Sequence, residues 1–275
     1  MNTYSKPSNL LIVGSGVWAT KVKESIRRQE LAAKIDHISA HEFLLSPWIG
    51  YRDYDCVWIA TRPKIQISIL KKYRFGTAQK IILEKPVASS RSDFDEFIEV
   101  STELLDQIRF SQPWTYDSRA SRIAETCIKP EVIESIDIVR KGPIIREYLD
   151  PWLDWAPHDL YLLARHLNFQ RSNLKVVSRA SESRSTKLVL GNNSGLKISI
   201  EAGHDLNRKA SWKIETSEGQ ISQIDLLTGP MNASEETPMD SIGKMYLDFS
   251  SDKAPIDNLN QILWQSNLYE SASDF

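Results

Sequence analysis

The sequence is 275 residues long, 41% hydrophobic and 25% charged, with a formal net charge of -2. That is the composition of a globular chain with room for two domains. No basic excess is present to grip a phosphate backbone, so a nucleic-acid partner is excluded. Cys56 and Cys127 are far apart and show neither metal-ligand spacing nor a disulfide framework, which fits a reducing compartment. Apolar runs such as LLIVGSGVWA and CVWIA fall far short of a bilayer span, and MNTYSKPSN lacks the apolar core of a signal peptide. A cytoplasmic protein with no membrane association is the expectation.

The run Leu10 to Val13 reads as a buried strand, followed by a glycine turn and a stretch of helical polarity. KIDHISA predicts a second strand and YDCVWIATRP a third, stopping at Pro63. KIQISILKKYRFG predicts a helix with Ile65, Ile69 and Tyr73 at helical spacing and Gly76 past its end. QKIILEKPVA is the fourth strand. The next segment opens with serines and acids suited to a helix cap and places Phe94, Phe97, Ile98 and Leu104 on one face. Alternating strands and helices, with strands made of continuous apolar runs, imply a parallel sheet covered on both faces.

Past Gln112 and Pro113 the texture changes. VIESIDIVRKG, LKVVSRA, TKLVLG, LKISIEAG, ASWKIETSEG and GQISQIDLL are partly alternating strands joined by short polar turns. They predict a largely antiparallel sheet. The expected fold is thus α/β, with a Rossmann-type dinucleotide-binding domain over residues 1–112 and a smaller α+β substrate domain over 113–275.

LLIVGSGVWAT sets Gly14 and Gly16 between a strand and a helix, the context in which a partial G-x-G-x-x-G pattern carries information. Gly14 permits the tight turn, and Gly16 lets the backbone approach a pyrophosphate at the positive end of the helix. Ala19 stands at the third position. Ser15, Val17 and Trp18 complete the turn's cofactor-facing set. The rival reading of the motif alone, and the lesser one, is a glycine turn that binds nothing. An acid for the adenosine ribose is expected some 20 residues on, but Asp36 lies inside the second strand and Ser39 stands at its end. A serine does not repel a 2′-phosphate, so either NAD or NADP is accommodated, with NADP mildly preferred.

IILEKPVASS ends a buried strand with Glu84 and Lys85, at the sheet edge where open α/β folds bind ligands. The series VGSGVWA, DCVWIATRP, LEKPVA and LDWAPHD resembles, in order and spacing, the glucose-fructose oxidoreductase and inositol dehydrogenase (Gfo/Idh/MocA) family, over residues 8 to 168. The wording around Trp18 and LDWAPHDL is similar to the branch acting on sugar nucleotides. The resemblance implies that Glu84 and Lys85 face the nicotinamide end, with Lys85 catalytic and Pro86 following a cis bond, and Thr61 joins the cofactor-binding set. It implies that Asp154 and His158 are the acid and the proton-transferring histidine. There are departures: Gln66 stands where the family has a histidine, Ala19 where it has a glycine, and Tyr161 where it has an acid. The chain is also shorter than family members, so the second domain is expected to be reduced.

On its own, LDWAPHDL is also a helix start near Pro157 with Asp154 as its cap. In that helix Leu160, Leu163, Ala164 and Leu167 form an apolar stripe, and His158, Tyr161 and Arg165 lie roughly opposite, off the core face. Trp114, Arg119, Arg122 and Trp152 are candidates for lining a sugar pocket, or for packing and solvation. No metal is called for by the histidines at 37, 41, 158, 166 and 204. The functional expectation is an NAD(P)-dependent oxidoreductase acting on a hydroxyl or carbonyl of a small-molecule sugar or sugar nucleotide, with a homo-oligomer allowed. The rivals are a reductase of a C=N or conjugated small molecule, and a dinucleotide-binding regulatory protein without turnover.

Overall fold

The structure is a computed structural model that describes residues 8–46, 53–73, 75–76, 79–117, 120, 122–123, 125, 130–143, 145–146, 149–167, 174–227 and 239–250. It divides into two compact units, Met1–Tyr116 with Thr237–Asn258, and Asp117–Glu236 with Leu259–Phe275.

In the first unit β1 (Ser8–Val13), β3 (Cys56–Ile59), β4 (Lys80–Leu83) and β5 (Ile108–Phe110) are short apolar runs, and almost all of their residues are buried. Such strands are stable only with both sheet faces covered. The edge strand β2 (Ala32–Ile38) is mostly half-exposed, which its Lys34, Asp36 and His37 permit. All pairings are parallel and the order is β2-β1-β3-β4-β5, so the chain reverses direction across the sheet beside β1.

The intervening helices are α1 (Val17–Arg28), α2 (Ala40–Leu45), α3 (Pro63–Lys72) and α4 (Arg91–Ser101). On α3 the buried face carries Gln66, Ile67, Ile69 and Leu70; of the expected stripe, Ile69 and Tyr73 are buried and Ile65 is half-buried. Among the described residues no helix is long and apolar enough to cross a membrane.

A late segment returns to this unit. Numbering the helices in chain order, α6 (Ser241–Ser250) packs Met245, Tyr246 and Phe249 beside Val22 and Ile26 of α1, over Leu10, Ile12, Trp58 and Ile82 of the sheet. Asp240 starts it: its carboxylate accepts from Gly243 N–H at 2.9 Å and from the Ser25 hydroxyl at 2.7 Å, and pairs with Arg28 at 2.6 Å. Sequence patterning expected the first unit to end at Gln112. The structure carries it to Tyr116, whose hydroxyl donates to Asp248 of α6 at 2.7 Å.

The second unit holds the six strands that the alternating segments predict: β6 (Ile133–Gly142), β7 (Lys175–Ser181), β8 (Ser185–Gly191), β9 (Lys197–His204), β10 (Lys209–Thr216) and β11 (Ile221–Asp225). Their order is β11-β10-β6-β9-β8-β7, antiparallel except for the central β6–β9 pair. One face is covered by α5 (Pro151–Leu167). The other presents Lys141–Glu201 and Lys213–Glu215 ion pairs.

The seating of α5 is fixed by a buried polar knot. Arg140 of β6 donates to both carboxylate oxygens of Asp159, at 2.8 and 2.6 Å, and the Trp212 indole of β10 donates to the same carboxylate at 2.8 Å. Gly142 allows the helix to come close, since a Cβ there would stand 2.2 Å from the Trp155 ring.

Candidate dinucleotide and proton-transfer sites

The first unit gathers its candidate residues at the carboxyl edge of the sheet. Gly14 follows β1 with φ +144°, and a Cβ on it would lie 2.3 Å from the Ala60 carbonyl oxygen after β3. Glycine is therefore required there by the fold itself. Gly16 is different. Its φ of -80° suits any residue, and a Cβ would meet nothing within 4 Å. Packing leaves that position open.

Gly16 is the N-cap of α1, no side chain caps the helix, and its first turn holds no acid. The N–H groups of a helix's first turn have no partner within the helix, and they carry the positive end of its dipole. Ser15, Gly16 and Val17 are exposed and Trp18 is half-buried, so an anion has access from solvent. Ala19 is fully buried against β1, which explains why a small residue suffices at the third position.

The ends of β3 and β4 are tied together by Gln66. Its Nε2 donates to the Thr61 carbonyl at 3.0 Å and to the Glu84 carbonyl at 2.9 Å, and the residue is 1% exposed. The departure from a histidine thus has a structural role here: an amide that joins the two loops bearing Thr61 and Lys85. Glu84 points inward, accepts from the Trp58 indole at 2.8 Å, and is buried. Burial raises its carboxyl above the usual range, against the opposing pull of Ser111, Trp18, Trp58 and the Lys85 charge. Lys85 itself is half-buried, and the Lys85–Pro86 peptide is cis, as the resemblance implies.

At the end of β2, Ser39 caps α2. Its hydroxyl accepts from Glu42 N–H at 3.1 Å, and the Glu42 carboxylate accepts from Ser39 N–H at 2.8 Å. Asp36, set aside as too early in the strand, is engaged elsewhere: it pairs with Lys34 at 2.7 Å and accepts from the Tyr54 hydroxyl.

In the second unit the expectation of a helix beginning near Pro157 is corrected. The helix starts at Pro151, and Asp150 caps it, its carboxylate accepting from Trp152 N–H at 2.7 Å. Pro157 is an interior residue; a proline there removes only one helical bond, to the Leu153 carbonyl. Asp154 is thereby relieved of capping. It is 1% exposed, its carboxylate takes a two-oxygen ion pair from Arg146, and His204 Nε2 of β9 lies 4.0 Å from it.

His158, four residues on, falls on the same side of the helix as Asp154. It is 7% exposed and Tyr161 is 3% exposed, so the expectation that both lie off the core face is also corrected. The helix is enclosed on every described side, because the residues from Asp154 to Ala164 are all buried. A buried imidazole beside a compensated carboxylate can accept and return a proton. Arg146 and His204 were not singled out by sequence, and no motif marks them.

Of the other candidates, Trp152 is a core residue at 2% exposure, Trp114 is half-buried and Arg122 is exposed. Arg119 and the Arg165 side chain lie outside the described residues.

No protein-family model and no curated protein matches the chain by sequence. Solved structures do match over the whole length. GenD2 of gentamicin A biosynthesis, solved with NAD, superposes with a TM-score of 0.72 at 13% identity, covering 99% of this chain and 96% of that one. The myo-inositol 2-dehydrogenase of Lactobacillus plantarum gives 0.69 at 12% identity, covering 98% of each chain. A 3-ketoreductase of Actinomadura kijaniata, solved with TDP-benzene and NADP, gives 0.66 at 12% identity, again covering 98% of each. The chain therefore has the fold of the Gfo/Idh/MocA-type dehydrogenases.

Proposed function

We propose that the chain is a nicotinamide-dependent oxidoreductase acting on a hydroxyl or carbonyl group of a sugar or sugar nucleotide. The observation that carries the reading is the Gly16 turn: its glycine is not demanded by internal packing, and it opens on an uncapped helix start at the edge of a parallel sheet. A pyrophosphate would be held by the N–H groups of Ser15, Gly16, Val17 and Trp18, with the ribose toward Ser39 and the nicotinamide end toward Thr61, Glu84 and Lys85. The sugar half rests on the superposed inositol dehydrogenase and on the ketoreductase solved with a nucleotide ligand.

A bound nicotinamide would supply the hydride chemistry at the substrate carbon. The chain's own residues handle the rest. Lys85 hydrogen-bonds the reacting oxygen and favours negative charge on it. His158 takes the hydroxyl proton on oxidation and returns it on reduction. Asp154 compensates the imidazolium, and Arg146 holds that carboxylate in place.

The test is turnover with a panel of sugars and sugar nucleotides by wild type, His158→Ala and Lys85→Ala. Loss of at least about a hundredfold in kcat, with dinucleotide affinity retained, supports the assignment. Unchanged turnover in His158→Ala overturns the proton-transfer role. Dinucleotide binding with no turnover on any substrate leaves the non-catalytic reading, and turnover confined to C=N or conjugated substrates leaves the other reductase.

A further inference from the structure

We infer that the chain selects NAD over NADP, and that Glu42 is the residue that makes the selection. This rests on the dinucleotide reading above. It reverses the mild preference for NADP that Ser39 alone suggests.

The end of β2 is locked to the glycine turn. Gly14 N–H donates to the Ile38 carbonyl at 2.9 Å, and His37 Nε2 lies 2.5 Å from the Gly14 carbonyl, so that nitrogen carries a proton and donates. Ser39 follows directly. It therefore stands beside the pyrophosphate turn at the carboxyl edge of the sheet, the place from which a dinucleotide's adenosine ribose is read.

Serine does not read it freely here. Its hydroxyl already accepts from Glu42 N–H, and its own N–H is already bonded to the Glu42 carboxylate. The capping box thus brings an acid from the third residue of α2 back to the strand end, where the strand itself supplies none. Glu42 is exposed, and its hydrogen bonds from Ser39 hold its carboxyl below the usual range, so it is ionised at neutral pH.

A 2′-phosphate needs N–H donors and cations, whereas a ribose 2′-hydroxyl needs an acceptor. Residues 39–46 contain no lysine or arginine, and His41 is the only basic side chain. Lys34, the one lysine of β2, is paired with Asp36. The Ser39 N–H, which a phosphate would otherwise use, faces a carboxylate instead. Glu42 retains lone pairs to accept from ribose hydroxyls, since a carboxylate offers about four acceptor sites.

The test is fluorescence titration of NADH and NADPH with wild type and Glu42→Gln. Glutamine still accepts from Ser39 N–H, so the cap survives and only the charge is lost. Wild type is expected to bind NADH about tenfold more tightly than NADPH, the scale of water-screened repulsion between a carboxylate and a phosphate dianion in contact. Glu42→Gln is expected to shrink that ratio several-fold by tightening NADPH, with the melting temperature unchanged. NADPH binding as tight as NADH in wild type, or a ratio unmoved by Glu42→Gln, overturns the inference while leaving the dinucleotide reading intact. If neither nucleotide binds, the dinucleotide reading falls and this inference falls with it.

Discussion

Replacing Asp159 by asparagine tests how α5 is held on its sheet. The side chains of Arg140 and Asp159 are 2% and 0% exposed and form a two-bond ion pair, so the variant takes the facing negative charge away from a buried guanidinium. Breaking one partner of such a pair costs about 3–5 kcal/mol. The Trp212 indole keeps an acceptor in the asparagine carbonyl, so that bond is not part of the cost. At roughly 3 °C per kcal/mol for a unit of this size, the melting temperature should fall by about 10 °C or more. Calorimetry or circular dichroism reads the shift. A second variant, Arg140→Met with Asp159→Asn, removes the buried charge and should recover much of the loss. A melting temperature within about 1 °C of wild type for Asp159→Asn alone would refute the claim that this pair seats the helix bearing Asp154 and His158.

Two further predictions concern the first unit. Glu84 has its carboxyl raised by burial, so above the ordinary carboxyl range the unfolded chain has lost this proton while the folded chain keeps it. The unfolded state then binds fewer protons, and stability falls as pH rises from the unfolded value to the raised folded one. Glu84→Gln keeps an acceptor for Trp58 and should remove that fall, raising the melting temperature at pH 7 relative to wild type and matching it near pH 4; an equal shift at both pH values contradicts the burial argument. Gln66→Leu breaks two carbonyl contacts in a buried place, which costs about 1–3 kcal/mol by denaturant unfolding and should weaken dinucleotide affinity as well; unchanged stability and affinity would show that the amide does not tie the two loops.

Much of the architecture was legible because the signals were local. Runs such as CVWI and KIIL are too short and too uniformly apolar for anything but strands buried on both faces, and the glycine turn is marked by its place between strand and helix. Ile242, Met245, Tyr246 and Phe249 carry a helical repeat that was equally present, yet the helix they form belongs to the first unit across some 120 residues of sequence, and no local feature announces that return. The sheet is largely antiparallel as expected, but which pair runs parallel, β6 with β9, is set by long-range order that no short turn announces.

At the candidate sites the sequence named types and left partners hidden. Asp154 looked like a cap because an acid before a proline usually is one; Asp150, four residues earlier, holds that role and frees Asp154 for Arg146. His158 looked solvent-facing by periodicity alone, but a helix enclosed on all sides has no polar face to expose. Glu42 carried a capping-box spacing from Ser39 that could be read directly, though its consequence for the cofactor depends on where β2 ends.

The central claim, that the Gly16 turn is built for a dinucleotide, is tested most directly by NADH titration of wild type against Gly16→Val. A Cβ at Gly16 would meet nothing within 4 Å, so the variant should fold with no more than the roughly 1 kcal/mol loss of a poorer N-cap, yet it fills the space through which a pyrophosphate must approach. Saturable binding by wild type and its loss in Gly16→Val is the predicted result. Equal affinity in both proteins, or no binding by wild type at millimolar NADH, would contradict the account.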